Sequence, residues 1–218
     1  MIVCYNNSGA MGYFVHVKPS SEEFKKIKQK FEGGWCSKKG RCPTVQLILS
    51  VVNPTVEKAF YDYKDSLPPS YVHSEMYFHG TRLSCHIDEY QSPCSNVDCS
   101  ICAIAKQGFH KTYIRRHRYQ RFGQGFYLAP NSSKSSDYCS VSGSGDTTNY
   151  TAMLLCEVAP GKKHFLRHSL TTLQGPPPGC HSVYGKSKFL FFNGDLNYDE
   201  IVIFESRAIC PRYVLLFS

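Results

Sequence analysis

The sequence predicts an α+β fold, not an alternating βαβ series. Short apolar stretches with strand character recur along the whole length, and helical periodicity is concentrated in the first half. With 218 residues, 42% apolar and 14% aromatic, the chain suits one domain, or at most two small ones, around a sizeable core.

The elements follow in order. Pro19-Ser20 precedes residues 22–31, where Phe24, Ile27 and Phe31 recur at helical spacing and lysines take the other face. Gly33-Gly34 ends this helix, and a cysteine-containing loop spans 35–43. Residues 45–52 have the apolar run of a buried strand. Asn53-Pro54 supplies an N-cap and a proline at the first helical position, opening a helix to about Ser66 with Val56, Phe60 and Tyr63 inward. Pro68-Pro69 stops it. A short strand at 76–78 leads into His79-Gly80-Thr81. The polar, cysteine-bearing stretch 88–121 predicts a long functional loop with a short helix in it. A strand at 126–129, a helix opening within 133–140 and a strand within 147–158 come next. Three consecutive prolines make 175–179 a loop. Residues 200–204 and 212–217 predict a closing pair of strands, joined by a turn around Cys210-Pro211.

The totals narrow the class. No apolar run approaches the roughly 20 residues of a membrane span, and the start lacks a basic segment followed by a long apolar stretch, which predicts an intracellular protein of cytoplasm or nucleus. The net charge of +8 suits an anionic ligand, pyrophosphate or nucleic acid. Its basic clusters, at 25–30, 38–41 and 115–121, also fit ordinary solvated faces. Eleven cysteines, an odd number, argue against a complete set of intrachain disulfides and leave metal binding as the competing use.

Four segments carry the chemistry: Tyr77-Phe78-His79-Gly80-Thr81, Phe122-Gly123-Gln124-Gly125-Phe126-Tyr127-Leu128-Ala129, Ser133-Lys134-Ser135-Ser136-Asp137-Tyr138, and Tyr198-Asp199-Glu200 before an apolar strand. A strand ending in His-Gly sets an imidazole beside backbone that a ligand can approach. Gly123 and Gly125 allow a tight turn. Tyr127 and Tyr138 offer a flat face or a hydroxyl. A glutamate opening an apolar strand is a carboxylate with a fixed direction. Each feature alone is more often structural.

In this order and spacing the segments resemble the poly(ADP-ribose) polymerase catalytic domain and its His-Tyr-Glu triad. Leu154–Gly161 is similar to that family's central strand, and Pro177-Pro178-Gly179-Cys180-His181-Ser182-Val183-Tyr184-Gly185 to its Pro-Pro-Gly-x-His-Ser-Val-x-Gly loop, in wording close to tankyrases. The resemblance is good from about Tyr77 to Ser218 and weak from Val45 to Ser70, and before Val45 there is little to match. It implies antiparallel and mixed sheets with few helices around a central NAD cleft, a catalytic domain over 45–218, and an N-terminal extension over 1–44. It implies NAD as substrate, nicotinamide as leaving group and transfer of ADP-ribose to an acceptor, with single transfer favoured over chain elongation. The implied catalytic residues are His79, Tyr127 and Glu200. His79 would meet an adenosine-side ribose hydroxyl, with Thr81 nearby. Gly80 and Ser135 would meet the nicotinamide amide. Tyr138 would stack on its ring, Tyr127 would pack opposite, and Glu200 would bond the nicotinamide-ribose 2′-hydroxyl. Two rival readings stand beside this one: a binding module for NAD or ADP-ribose without turnover, and a zinc-stabilised nucleic-acid binder using Arg115, Arg116, His117 and Arg118 with Tyr113 and Tyr119. The acceptor stays open between protein and nucleic acid, and the oligomeric state stays open too.

Cysteines make the insert at 85–121 unusual. Cys85, Cys94, Cys99 and Cys102 end in a Cys-x2-Cys pair, a common zinc half-site because both thiolates can turn inward. A polar loop has little apolar material to order it, so an ion is a reasonable organiser. His86 and His110 are substitute ligands should Cys85 belong elsewhere. The small zinc site of tankyrases lies at a different point in the chain, so it lends no support by position.

Overall fold

A computed structural model describes residues 12–89, 92–111, 120–141, 150–188 and 193–218. Eleven strands and four α-helices follow one another along these residues: β1 (Tyr13–His16), α1 (Glu22–Gly33), β2 (Val45–Val52), α2 (Pro54–Asp65), β3 (Glu75–Gly80), β4 (Arg82–Leu83), α3 (Ser100–Gln107), β5 (Phe126–Leu128), α4 (Ser132–Ser136), β6 (Ser140–Val141), β7 (Thr151–Val158), β8 (Lys163–Leu166), β9 (Ser182–Gly185), β10 (Glu200–Ile203) and β11 (Ile209–Phe217). They build a five-stranded sheet, β1-β2-β11-β7-β3, a four-stranded sheet, β5-β10-β9-β8, and the small parallel pair β4-β6. All neighbours in the five-stranded sheet are antiparallel; β8 and β9 run parallel.

The predicted α1, β2 and α2 are found nearly as read. Ser21 caps α1 by accepting from the Phe24 N–H at 3.1 Å, and Asn53 caps α2 by accepting from the Val56 N–H at 3.2 Å. The amphipathic face of α1 explains its docking. Phe24, Ile27 and Phe31 pack with Ile48, Phe78, Met153 and Leu215 on one face of the five-stranded sheet. The opposite face, carrying Leu49, Leu154, Val214 and Leu216, packs against α3 and against Phe126, Leu128, Ile201 and Ile203 of the four-stranded sheet. Three layers result, with β11 central and buried on both faces.

One expectation needs correcting. The strands beginning at Glu200 and near Arg212 do not pair with each other. Strand β10 lies between β5 and β9, whereas β11 lies between β2 and β7. Cys210 and Pro211 are inside β11, where the pairing with β7 shifts register between Pro211 and Tyr213, an irregularity that accommodates a residue without an N–H. The reversal between the two strands is instead the short turn Ser206–Ala208. Helix α4 also ends sooner than expected, because the chain turns into β6.

The two sheets meet at an isolated bridge. Phe78 of β3 and Ala129, just past β5, exchange backbone hydrogen bonds of 2.8 and 2.9 Å. Among the described residues, no helix is long and apolar enough to cross a membrane.

Candidate functional site

His79 sits at the end of β3. Its Nδ1 lies 2.9 Å from the Tyr127 carbonyl, which can only accept, so Nδ1 carries the proton and the neutral ring keeps its acceptor on Nε2. Burial pushes the imidazole pKa down, against the upward pull of that carbonyl, which favours the neutral form. Phe109 meets the ring edge-on, with centroids 5.0 Å apart.

Gly80 has a specific reason to be glycine. A Cβ there would stand 1.8 Å from the Ser135 carbonyl oxygen, so the dipeptide His79-Gly80 lets α4 lie directly against the end of β3. Ser135 tightens the same seam by donating its hydroxyl to the Phe78 carbonyl at 3.0 Å. Helix α4 is braced from behind by the end of α1. The Ser132 hydroxyl donates to the Phe31 carbonyl, and the Gly34 carbonyl accepts from the Ser133 N–H and hydroxyl. Thus the end of α1 holds the helix that carries Ser135 and precedes Tyr138. Thr81 follows Gly80 directly and is half-buried.

On the four-stranded sheet, alternation decides which side chains face the crevice. Ile201 and Ile203 enter the core, which turns Val202 and Glu200 the other way, together with Tyr127 opposite Val202. The Tyr127 hydroxyl is fully engaged: it accepts from the Phe122 N–H at 2.9 Å and donates to the Gly123 carbonyl at 2.8 Å. That leaves its ring, not its hydroxyl, to the crevice. Burial holds its pKa well above the usual value, opposed by the Phe122 N–H and assisted by the nearby charge of Glu200.

Glu200 is 5% exposed. Its Oε1 is buried without a hydrogen-bond partner, while Oε2 lies 3.9 Å from Lys134 Nζ. Burial raises the carboxyl pKa, opposed by Lys134 and Arg121 and assisted by Asp195. Lys134 also donates to the Tyr138 hydroxyl at 3.0 Å and stands 4.9 Å from that ring's centroid. Tyr138, 57% exposed, is therefore an open aromatic face beside a buried carboxylate. Arg121, Lys134, Asp137, Leu196, Asn197, Tyr198 and Glu200 enclose a cavity of about 100 Å³. The direction of Glu200 is fixed one residue earlier. Asp199 accepts from the Tyr184 hydroxyl at 2.9 Å and from the Ser187 N–H and hydroxyl at 2.8 and 2.6 Å.

Short contacts thus link His79 to the Tyr127 backbone, Gly80 to Ser135, and Glu200 through Lys134 to Tyr138. Sequence reading missed Lys134, Arg121, Asp195 and Asp199 as neighbours of the carboxylate. Two of them carried a usable signal: Lys134 lies inside the Ser-Lys-Ser segment and Asp199 directly precedes Glu200. The basic-aromatic stretch Arg115, Arg116, His117 and Arg118, with Tyr113 and Tyr119, lies outside the described residues.

The cysteine insert closes on itself. The sulfurs of Cys85, Cys94, Cys99 and Cys102 all lie within 4.8 Å of one another, and Cys85 Sγ is 3.6 Å from both Cys99 and Cys102. Four sulfurs at about 2.3 Å from a tetrahedral zinc would stand about 3.8 Å apart, so the residues fit that ion. His86 and His110 are not needed to complete the set. Cys99 is the N-cap residue of α3 and Cys102 lies in its first turn, where the helix dipole favours thiolates.

The family model described as PARP, Poly(ADP-ribose) polymerase catalytic domain, matches residues 21–218. Curated relatives include human protein mono-ADP-ribosyltransferase PARP4, 30% identical over 129 residues, which is 58% of this chain and 7% of that protein. The mouse PARP4 is 28% identical over 104 residues, 48% of this chain and 5% of that protein. Human protein mono-ADP-ribosyltransferase PARP3 is 29% identical over 147 residues, 67% of this chain and 23% of that protein. The chain therefore spans less than a quarter of the length of each of these relatives.

Proposed function

Because the chain belongs to the poly(ADP-ribose) polymerase catalytic domain family, we propose that it is an NAD-dependent ADP-ribosyltransferase that cleaves nicotinamide from NAD and passes one ADP-ribose to an acceptor. The observation that carries this reading is Glu200: a buried carboxylate with an unpartnered oxygen, linked through Lys134 to the exposed ring of Tyr138. An unsatisfied buried carboxylate oxygen is costly, and a substrate hydroxyl is a natural partner for it.

The roles follow from the atoms each residue has left. His79 Nε2 accepts from a ribose hydroxyl, with Thr81 beside it. Ser135, which gives its proton to the Phe78 carbonyl, still has lone pairs for the amide N–H of nicotinamide, and the Gly80 backbone lies alongside. Tyr138 stacks on the nicotinamide ring, and the Tyr127 ring packs opposite. Glu200 takes the 2′-hydroxyl of the nicotinamide ribose. Breaking the glycosidic bond builds positive charge on that ribose, as in glycoside hydrolysis, and a carboxylate held close stabilises this charge more than the ground state. Nicotinamide leaves neutral, so one carboxylate suffices. Lys134 opposes the desolvation of Glu200 and helps keep it ionised.

Single transfer is the preferred outcome, in keeping with the printed names of the curated relatives, and a protein is the preferred acceptor. We assign the catalytic unit to 45–218, with 1–44 as an extension whose α1 end braces α4. Zinc belongs to the insert, not to the reaction. Incubation with labelled NAD tests the reading. We expect free nicotinamide and label on protein as single units. Glu200→Gln should keep NAD affinity and lower turnover roughly 10²–10³-fold, the size expected for losing one preorganised electrostatic partner. His79→Ala should weaken binding as well. NAD binding without any nicotinamide release from the unaltered protein would instead make the chain a binding module, and label on nucleic acid would change the acceptor.

A further inference from the structure

We propose that Cys85, Cys94, Cys99 and Cys102 hold one structural zinc ion whose task is to seat Phe109 against His79, so that metal occupancy sets the shape of the histidine side of the crevice. The consequence for NAD affinity rests on the function proposed above; the metal and the seating of Phe109 do not.

The geometry runs in one line from the sulfurs to the imidazole. Cys85 follows β4, Cys94 comes from the loop beyond it, and Cys99 and Cys102 open α3. Polar contacts tie the loop around them. The Ser84 N–H points at Cys99 Sγ at 3.4 Å, the Ser84 hydroxyl donates to the Asp98 carbonyl, and Asn96 donates to the Ser84 carbonyl at 3.0 Å. Cys99 and Cys102 are buried, yet all four sulfurs point at a shared centre. A disulfide would draw one pair to about 2.05 Å and leave the others apart. Cys85 instead stands equally far from two partners. Four protein ligands leave no open position on zinc, so its role there is structural.

Helix α3 carries that fixed point onward. Ile101, Ile104 and Ala105 bury its apolar face, and Asn53 clamps its far end by donating to the carbonyls of Ala105 at 3.0 Å and Lys106 at 2.8 Å. Gly108, at φ +71, then reverses the chain in the left-handed region that glycine favours. The reversal delivers Phe109, 5% exposed, between His79 and Phe126, with centroids 5.0 and 5.4 Å away and both rings near perpendicular to its own. One eight-residue helix, about 12 Å long, therefore separates the sulfurs from the ring that backs His79.

The test begins with the metal alone. Protein purified under reducing conditions should carry one zinc per chain, and cobalt(II) exchanged into it should give the intense thiolate absorption of a tetrahedral sulfur site. Stripping with a chelator should shift the His79 ring proton resonances in NAD-free protein, and added zinc should restore them. NAD affinity should fall roughly tenfold on stripping, a typical size for coupled sites. Phe109→Leu should reproduce the affinity loss while keeping its zinc; it serves as the second variant should cysteine substitutions fail to fold. Zinc-free protein, or His79 resonances indifferent to zinc, overturns the proposal. So does Phe109→Leu binding NAD as tightly as the unaltered protein. Zinc-loaded protein that moves its His79 resonances yet binds no NAD upholds the metal inference and sinks the proposed function instead.

Discussion

The two main sheets are built for different work. The five-stranded sheet has long central strands, β2, β7 and β11, with apolar side chains buried on both faces. The four-stranded sheet has strands of three or four residues; one face joins the main core and the other carries only a small apolar cluster around Phe122, Val183, Leu196 and Val202. Its outer face carries Glu200 and the engaged hydroxyl of Tyr127. The difference teaches where free energy is stored and where it is withheld. Burial in the larger sheet supplies stability, and the smaller one spends some of it to hold a poorly solvated carboxylate in place.

Truncating the larger sheet should have the biggest effect. Leu215 is fully buried on central β11, and Leu215→Ala should cost about 2–5 kcal/mol, read as a lower denaturation midpoint with an unchanged slope. A loss no greater than that of a surface substitution would break the contrast. A smaller effect is expected from Tyr127→Phe, which leaves the Phe122 N–H and the Gly123 carbonyl without their partner. About 1 kcal/mol of stability should go, with turnover largely kept. Abolished turnover in a stable variant would mean that the hydroxyl reaches the substrate.

The smallest effect is the sharpest. Because burial raises the Glu200 pKa, folding disfavours its ionised form. Below the ordinary carboxylate value of about 4.3 the group is protonated whether folded or not, and no cost arises. The cost grows as pH rises toward the folded pKa and is full above it. Glu200→Gln should therefore melt a few degrees higher at neutral pH, and this gain should vanish near pH 4. A variant less stable at neutral pH would mean that the attraction of Lys134 outweighs desolvation.

Sequence pattern revealed the elements whose burial is one-sided and regular. Helix α1 shows its apolar stripe, α2 its cap, and β2 its apolar run. Strand β8, reading Lys-His-Phe-Leu, has no such pattern, and β1 and β9, four residues each, lack the apolar run that marks the equally short β10. Strand partners were the harder problem. Apolar strands at 200–204 and 212–217 look like neighbours because they are close in sequence, but pairing is decided by which faces must be covered, and that is a property of the whole fold. The crevice residues were legible through short motifs, since each motif places a reactive side chain beside a glycine or at a strand end. The surrounding charges were not, because Arg121, Lys134 and Asp195 come from three separate segments and only folding brings them to Glu200. The cysteines were legible by spacing; their link to His79 was not, because it passes through Phe109 and the turn at Gly108.

The place of β11 has a consequence for how the protein is made. Strands β2 and β7 share no edge; each finds its partner in β11, which leaves the ribosome after both. Until residue 217 has emerged, the β1-β2 and β3-β7 pairs are two halves of a sheet without the strand that joins them. Each half can pair early, but joining the halves waits on contacts of long sequence separation, which form slowly. Nascent chains should therefore stay protease-sensitive, and in need of protection from aggregation, until translation has passed the end of β11.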